Sequence, residues 1–189
     1  MRLAAARRRH RVAATTCEPE DKTIAHRPFR ILVLCAGNSA RSVMGEALFN
    51  VLGNGRFDAY SAGSRPSGRV QAMAADLASS IGYDTSRLRS KSWDEFSVPG
   101  APELDLVVTV CDNAAGEACP MWYGTPMVAH WGVEDPAAVE GDEDTRRRAY
   151  LKVFTVLRRR VELLAALPVE KLDRLVAEAK IRAIGKIDG

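Results

Sequence analysis

The chain has 189 residues, of which 47% are hydrophobic and 27% are charged, a size and balance that suit one globular domain with a sizeable core. Its net charge of +3 is uneven, because the first 30 residues carry eight Lys and Arg against three Asp and Glu, which leaves a net charge of −2 on the rest. A basic tail on a mildly acidic body argues against a nucleic-acid-binding protein. The apolar runs are too short to cross a membrane.

The N-terminal segment and the cysteines bear on the cellular setting. Residues 1–28 show no sustained hydrophobic period and predict a disordered basic extension; a transit peptide or an upstream start codon are the alternatives, and no secretory signal is evident. The four cysteines are too few and too scattered for a secreted disulfide framework: Cys17, Cys35, Cys111 and Cys119. We therefore expect a cytoplasmic protein with functional thiols, in which Cys17 is an incidental thiol on the tail.

The first half of the folded region alternates strand and helix signals. The apolar run at 30–34 predicts a buried strand, and from Val43 apolar residues recur at helical spacing until Gly53. Residues 56–63 alternate apolar and polar positions and predict a second strand. The segment 68–84 predicts a second helix.

The second half continues the alternation. The β-branched run at 104–110 predicts a buried strand, and 126–131 predicts a fourth. Residues 145–167 predict a long helix with one apolar face: Tyr150, Phe154, Leu157, Val161 and Leu164. Its arginines favour a solvated face over a phosphate-binding stripe: Arg146–Arg148 and Arg158–Arg160. A last helix is predicted at 169–184, with an apolar face of Leu172, Leu175, Val176 and Ala179.

Strands that alternate with helices predict a single three-layer α/β domain over residues 29–167, with a four-stranded parallel sheet and helices on both faces, followed by a C-terminal helix within 168–189. In open sheets of this kind, ligands bind beyond the carboxyl ends of the strands. Cys35 and Cys111 each follow a strand directly, so we expect both on that edge.

The stretch "LCAGNSARS" contains the spacing C-x5-R-S, from Cys35 to Arg41 and Ser42. Five intervening residues allow the chain to curl so that backbone N–H groups point at a tetrahedral oxyanion at the start of the next helix. Gly37 and Asn38 tolerate the left-handed backbone that such a curl needs. Arg41 offers a planar fork to two oxygens of the anion. The predicted substrate-binding residues are Ala36, Gly37, Asn38, Ser39, Ala40 and Arg41.

The same surroundings would favour the thiolate form of Cys35, because helix amides and a nearby cation stabilise an anion, and Ser42 could donate a hydrogen bond to it. The alternative is an ordinary buried thiol beside a surface arginine. An attack on an oxyanion also needs an acid for the departing oxygen, and Asp135, on the loop after the fourth strand, is the candidate. By itself the Asp-Pro dipeptide at this point is most often a turn.

The sequence resembles the low-molecular-weight protein tyrosine phosphatase fold through its C-x5-R-S loop and its Asp-Pro loop. Within that fold it is similar to the arsenate reductases, through "CAGNSARS", "YSAGSRPSG", "RSKSWDEF", "VVTVCDNAAGEACP" and "AHWGVEDPAA". Phosphatases of this fold usually follow Asp-Pro with aromatic residues, whereas this chain has Ala137 and Ala138. The resemblance therefore implies an arsenate reductase that serves arsenic detoxification.

This resemblance implies a thiol relay. Cys35 attacks arsenate while Asp135 protonates the leaving hydroxide; Cys111 then attacks Cys35, and Cys119 attacks Cys111. The product disulfide would be reduced by thioredoxin. Phosphate and sulfate are expected as competing anions, no tightly bound cofactor is expected, and a monomer is expected.

Two departures from the family pattern keep the reductant open. Seven residues separate Cys111 from Cys119, one more than in the thioredoxin type, and Ala40 replaces a cysteine common in the loop. Glutathione with glutaredoxin could attack the arsenic adduct instead, and then Cys111 or Cys119 would be dispensable.

Other assignments for these residues also stay open. Cys111 and Cys119 could be ordinary buried thiols, or zinc ligands together with His130, although three candidates at irregular spacing make zinc a poor fit. The resemblance implies a potassium ion near Asn38 and Glu46, with further ligand candidates in Ser61 and Asp94. The alternative functions are a phosphatase for phosphoproteins or small phosphate esters, and a non-enzymatic anion-binding module that uses the basic tail as its contact.

Overall fold

The computed structural model describes residues 27–111, 122 and 124–187. The predictions for the N-terminal extension and for Cys119 lie outside these residues and remain predictions. The described chain contains four strands and four α-helices: β1 Phe29–Cys35, α1 Arg41–Leu52, β2 Phe57–Gly63, α2 Ala72–Ser80, β3 Leu106–Thr109, β4 Met127–His130, α3 Glu143–Ala165 and α4 Arg174–Ile184.

The four strands form one parallel sheet in the order β2-β1-β3-β4. All four α-helices contribute to the apolar cluster on one face of the sheet, where Ile31, Val33 and Cys35 of β1 point. On the other face, a short 3-10 helix at Trp93–Phe96 packs against Leu32 and Leu34. The predicted single α/β domain with a four-stranded parallel sheet and helices is therefore confirmed.

The two central strands end at the same edge of the sheet. In the parallel register of β1 and β3, Leu34 lies beside Thr109, so that Cys35 and Cys111 both follow at the carboxyl ends of these strands. Ile31 to Cys35 and Leu106 to Thr109 are buried without interruption, as expected for parallel strands that are covered on both faces.

The long helix α3 begins where Asp142 caps it, with the carboxylate accepting a hydrogen bond from Thr145 N at 2.8 Å. The five predicted core residues of this helix are all buried, which confirms its apolar face. Its arginines are exposed except Arg160, for which the predicted solvated face is wrong. Arg160 is 3% exposed and donates to the carbonyls of Trp131 and Gly132, where the chain leaves β4, and to that of Ile187, which follows α4. Its guanidinium is buried because it satisfies these backbone acceptors.

The last helix differs from its prediction in start and in phase. It begins at Arg174, where Asp173 caps the N–H of Leu175, and only a 3-10 turn at Val169–Lys171 precedes it. Of the predicted apolar face, Leu172 packs against the core from a position before the helix. The prediction is wrong for Leu175, Val176 and Ala179, which are exposed. Its buried face consists of Ala177, Ile181 and Ile184, and Trp131 Nε1 donates to the carbonyl of Ile181 at 2.9 Å. Packing on Trp131 thus sets the phase of this helix.

Among the described residues, no helix combines the length and the apolar character needed to cross a bilayer.

Candidate active site

The loop from Cys35 to Arg41 turns its carbonyl groups toward one neighbouring segment. The carbonyls of Ala36, Gly37 and Ser39 accept hydrogen bonds at 2.9 Å from the backbone N–H groups of Arg65, Ser67 and Gln71, respectively. In the described part of the chain, the N–H groups of residues 37–41 have no protein acceptor. Helix α1 starts at Arg41, two residues earlier than predicted, so these donors also lie at its positive end. Such an array can hold an oxyanion.

One residue of the loop supplies the left-handed conformation that the curl requires. Asn38 has φ of 41°, as predicted, whereas Gly37 is not among the residues with positive φ. A Cβ on Gly37 would meet nothing closer than Ser39 Oγ at 3.6 Å, so neither φ nor space requires a glycine at this position. Gly63 at the end of β2 is the constrained glycine, because a Cβ there would lie 2.4 Å from the carbonyl oxygen of Ala36.

Buried polar side chains lie next to the thiol of Cys35. Cys35 is 3% exposed, and its Sγ lies 3.0 Å from Ser42 Oγ. Asn38 Nδ2 donates to Ser42 Oγ at 2.9 Å and to Ser61 Oγ at 3.0 Å. Ser42, Asn38 and Ser61 are completely buried. A hydrogen-bonded chain therefore links the thiol to the end of β2 and fixes the orientation of Ser42 toward the sulfur.

A buried carboxylate continues this chain. Ser61 Oγ donates to Glu46 Oε2 at 2.6 Å, and the Tyr83 hydroxyl donates to Glu46 Oε1 at 2.9 Å. Lys91 Nζ lies 3.7 Å from Glu46 Oε2. Burial lowers the pKa of Lys91, and Glu46 offsets part of this shift. Burial and the carboxylate together raise the pKa of Tyr83 above its usual range, so Tyr83 is a hydrogen-bond donor at neutral pH.

The predicted potassium ligands are engaged in this network. Asn38 Oδ1 accepts the backbone N–H of Lys91 at 2.7 Å, and both oxygens of Glu46 accept hydrogen bonds. Asp94 accepts a hydrogen bond from the Ser92 hydroxyl at the start of its 3-10 helix. A cationic ammonium group already lies beside Glu46. Because this ammonium group already compensates the charge of Glu46, the residues present do not fit a bound potassium ion as well.

The second predicted thiol lies directly against the loop. Cys111 is 3% exposed, and its Sγ accepts a hydrogen bond from the backbone N–H of Ala36 at 3.3 Å. Since Ala36 is the residue after Cys35, the two cysteines occupy the same edge of the sheet, as the sequence predicted. No disulfide joins Cys35 to Cys111. His130 exchanges a hydrogen bond with Thr109, and the described residues contain no cluster of three metal-binding side chains.

The arginine of the loop contacts the candidate acid. Arg41 Nη2 lies 2.7 Å from Asp135 Oδ2, and Arg41 Nη1 donates to the carbonyl of Val133 at 3.3 Å. The other carboxylate oxygen of Asp135 accepts the N–H of Ala137 and caps the 3-10 helix at Pro136–Ala138. The arginine and the carboxylate thus meet at the mouth of the loop, where an anion would compete for Arg41.

Most of the predicted site residues come together, and the sequence missed several that support them. Five predicted residues lie in the loop or beside it: Cys35, Arg41, Ser42, Cys111 and Asp135. Cys119 lies outside the described residues. Two of the supporting residues had no predicted role, Tyr83 and Lys91, and a third, Arg160, is buried where the sequence predicts a solvated face. Lys91 belongs to the quoted segment "RSKSWDEF", but no local pattern marks a lysine as buried.

Comparisons with known proteins show the family of this chain. The model of the family "low molecular weight phosphotyrosine protein phosphatase" matches residues 30–178. An arsenate reductase of Halalkalibacterium halodurans is 34% identical over 135 residues, which is 71% of this chain and 94% of the relative.

Two solved structures extend the comparison. One is an arsenate reductase from Archaeoglobus fulgidus, with 31% identity and a TM-score of 0.51, covering 69% of this chain and 98% of that one. The other, described as an arsenate reductase in oxidized state, has 26% identity and a TM-score of 0.58, and covers 72% of this chain and 96% of that one. The chain therefore belongs to the low-molecular-weight phosphotyrosine protein phosphatase family and, within it, to the arsenate reductases.

Proposed function

We propose that this enzyme reduces arsenate to arsenite with the Cys35 thiolate as nucleophile and Cys111 as the thiol that completes the reduction. One observation carries the proposal: Cys111 Sγ accepts a hydrogen bond from Ala36 N at 3.3 Å. A second thiol so close to the nucleophile has no task in ester hydrolysis, whereas an arsenate reductase needs two electrons from a pair of thiols.

Arsenate binding is assigned to residues 36–41. The N–H groups of residues 37–41 have no protein acceptor in the described chain, and Arg41 can exchange Asp135 for two oxygens of the anion. Phosphate and sulfate have the same tetrahedral shape and are expected to compete. Because phosphorus is not reduced by thiols here, phosphate acts as an inhibitor and not as a substrate for reduction.

The first chemical step forms a bond between sulfur and arsenic. Cys35 Sγ attacks the arsenic atom, an arsenic–oxygen bond breaks, and Asp135 supplies the proton with which that oxygen leaves as water. Ser42, 3.0 Å from the sulfur, stabilises the thiolate before the attack.

The second step transfers the electrons. The Cys111 thiolate attacks Cys35 Sγ, the sulfur–arsenic bond breaks, and its electron pair stays on arsenic. Arsenic is thereby reduced from the pentavalent to the trivalent state, arsenite leaves, and Cys35 and Cys111 are oxidised to a disulfide. The position of Cys111 beside Ala36 supports this attack.

The third step regenerates the nucleophile. Cys119 attacks Cys111, Cys35 returns to the thiol form, and an external dithiol such as thioredoxin reduces the Cys111–Cys119 disulfide. Glutaredoxin with glutathione is the alternative reductant. Either system operates in a reducing compartment, so we propose a cytoplasmic setting in which the enzyme contributes to arsenic detoxification.

A turnover assay with each reductant tests the proposal. Arsenite formation is measured with thioredoxin and its reductase, and separately with glutaredoxin and glutathione, for wild type, Cys111→Ser and Cys119→Ser. We expect thioredoxin-linked turnover in wild type and its loss in both variants. Full thioredoxin-linked activity of Cys119→Ser would refute the third step, and full activity of Cys111→Ser with both systems would refute the second. Hydrolysis of a small phosphate ester that is faster than arsenate reduction would favour a phosphatase.

A further inference from the structure

A buried lysine contacts the loop from Cys35 to Arg41 and has no role in the proposed chemistry. Lys91 is 7% exposed. Its main chain is held on both sides, because its N–H donates to Asn38 Oδ1 at 2.7 Å and its carbonyl accepts the N–H of Gly63 at 3.0 Å. Lysines are rarely buried unless their charge is paired. The backbone contacts explain the position of residue 91 but not the choice of a lysine there.

Among the described residues, the Lys91 ammonium group forms an ion pair with Glu46. Its Nζ lies 3.7 Å from Glu46 Oε2, and this is the single ion pair of Glu46 among the described residues. Glu46 is 4% exposed, so its negative charge needs compensation. The neighbouring Arg89 does not supply it, because that guanidinium pairs with Glu95 near the surface.

The carboxylate in turn orients the loop. Glu46 accepts the Ser61 hydroxyl, Ser61 accepts one N–H of Asn38, and Asn38 holds Ser42 against the sulfur of Cys35. Asn38 also has the left-handed backbone at the centre of the curl. A change in the charge balance at Glu46 would therefore be transmitted to the loop that binds the anion.

We propose that the Lys91 ammonium group is a resident cation of the active-site loop, a positioning residue that takes the place which a potassium ion would otherwise fill beside Glu46. The protein should then bind oxyanions equally well with and without potassium. An ammonium ion and a potassium ion have similar size and equal charge. Removal of the Lys91 side chain should consequently create a need for a monovalent cation at this position.

The test compares wild type with Lys91→Met, which keeps the backbone bonds to Asn38 and Gly63 but removes the ammonium group. The affinity for inorganic phosphate is measured by titration calorimetry in sodium chloride and in potassium chloride at equal ionic strength. We expect equal affinities for wild type. We expect Lys91→Met to bind phosphate about tenfold more weakly in sodium, and to recover most of this loss in potassium or ammonium chloride.

A second readout is the rate at which iodoacetamide alkylates Cys35, followed on the Cys35 peptide by mass spectrometry. This rate should show the same cation dependence in Lys91→Met and none in wild type. Lys180→Met, at an exposed position on α4, is the matched control and should behave like wild type in every salt.

The double variant Glu46→Gln with Lys91→Met covers the case in which the single variant does not fold. It removes both charges, so it should fold and show no preference for potassium. A single variant that stays unfolded in every salt and is not rescued by Glu46→Gln would overturn the proposal. A wild type that potassium stimulates, or a folded Lys91→Met that ignores the cation, would overturn it as well.

The inference concerns the same loop as the proposed function but does not depend on arsenate being the substrate. Phosphate affinity and Cys35 alkylation need no turnover. Failure of the reductant assay would therefore leave it standing, and its own failure would leave the thiol relay untouched.

Discussion

Two segments meet at the active site, and they are built in opposite ways. The residues that support the loop are buried: Cys35, Asn38, Ser42 and Glu46 are each at most 4% exposed, and hydrogen bonds that pass through Ser61 join them. The segment that carries Asp135 lies at the surface, and the Asp135 side chain is 42% exposed. Among the described residues of the loop, Arg41 is the one whose side chain pairs with Asp135.

The difference suits the roles that we propose for the two segments. Donors that must hold an anion and a thiolate gain from being fixed in advance, because no reorganisation is then needed when the charge arrives. An acid must release its partner and deliver a proton, so a partly exposed ion pair of small net stability suits it. We therefore expect mutations in the loop to affect binding or stability, and mutations of Asp135 to affect mainly the chemical step.

The largest effect is expected at the nucleophile. Cys35→Ser should reduce arsenite formation by about a thousandfold or more, because the hydroxyl cannot replace a thiolate and cannot form the disulfide. Phosphate affinity, measured by calorimetry, should remain close to wild type, since the loop amides and Arg41 are retained. Cys17→Ser is the matched control and should keep full turnover. Substantial arsenite formation by Cys35→Ser would assign the chemistry to another thiol.

Asp135→Asn tests the exposed half of the comparison. We expect kcat to fall about a hundredfold, in the range of a lost general acid. Phosphate should bind as tightly as in wild type or tighter, because Arg41 loses its carboxylate partner. The free energy of unfolding should change by less than about 1 kcal/mol, as for other partly exposed pairs. An unchanged kcat, or a large loss of stability, would show that Asp135 is structural.

Ser42→Ala tests the buried half. The variant removes the contact with Cys35 Sγ and leaves one Asn38 N–H without its acceptor. The free energy of unfolding should fall by about 1–3 kcal/mol, as measured in urea, and Cys35 should be alkylated several-fold more slowly. Ser80→Ala, an exposed serine at the end of α2, provides the comparison and should change neither quantity. Alkylation at the wild-type rate would argue against a role of Ser42 at the sulfur.

The smallest effect is expected for Tyr83→Phe, and it is a change in the free energy of unfolding that depends on pH. The pKa of Tyr83 is raised in the folded protein, so above about pH 10 the unfolded chain loses its proton first, and stability falls as the pH rises. Tyr83→Phe should lower stability by about 1 kcal/mol at neutral pH and should show a weaker alkaline decline. Tyr60, whose pKa is raised to about 12, contributes equally to both proteins. Identical alkaline slopes would contradict the assignment of Tyr83 as a buried donor to Glu46.

The sequence alone predicts the parts of this site that depend on local order. A buried strand, the C-x5-R-S spacing and an amphipathic helix are sufficient to place Cys35 and Arg41 at the edge of a parallel sheet. The positive φ of Asn38 is also predictable, because few residue types tolerate it.

The remaining parts depend on contacts between distant segments. Lys91 meets Glu46 across 45 positions of sequence, and Arg160 is buried because it satisfies carbonyls that follow β4. The sequence around each of these two residues looks the same as the sequence around a lysine or an arginine at the surface. The phase of the last helix was predicted wrongly for the same reason, since Trp131, and not the hydrophobicity of Leu175 or Val176, selects the buried face.

The central claim is that Cys111 attacks the sulfur of Cys35, and a single turnover without reductant tests it most directly. Reduced Cys119→Ser protein is incubated with arsenate, arsenite is quantified, and the disulfide-linked peptides are identified by mass spectrometry. The relay predicts a Cys35–Cys111 disulfide and arsenite in equal amounts. Arsenite released without that disulfide, or released in the same yield by Cys111→Ser, would contradict it.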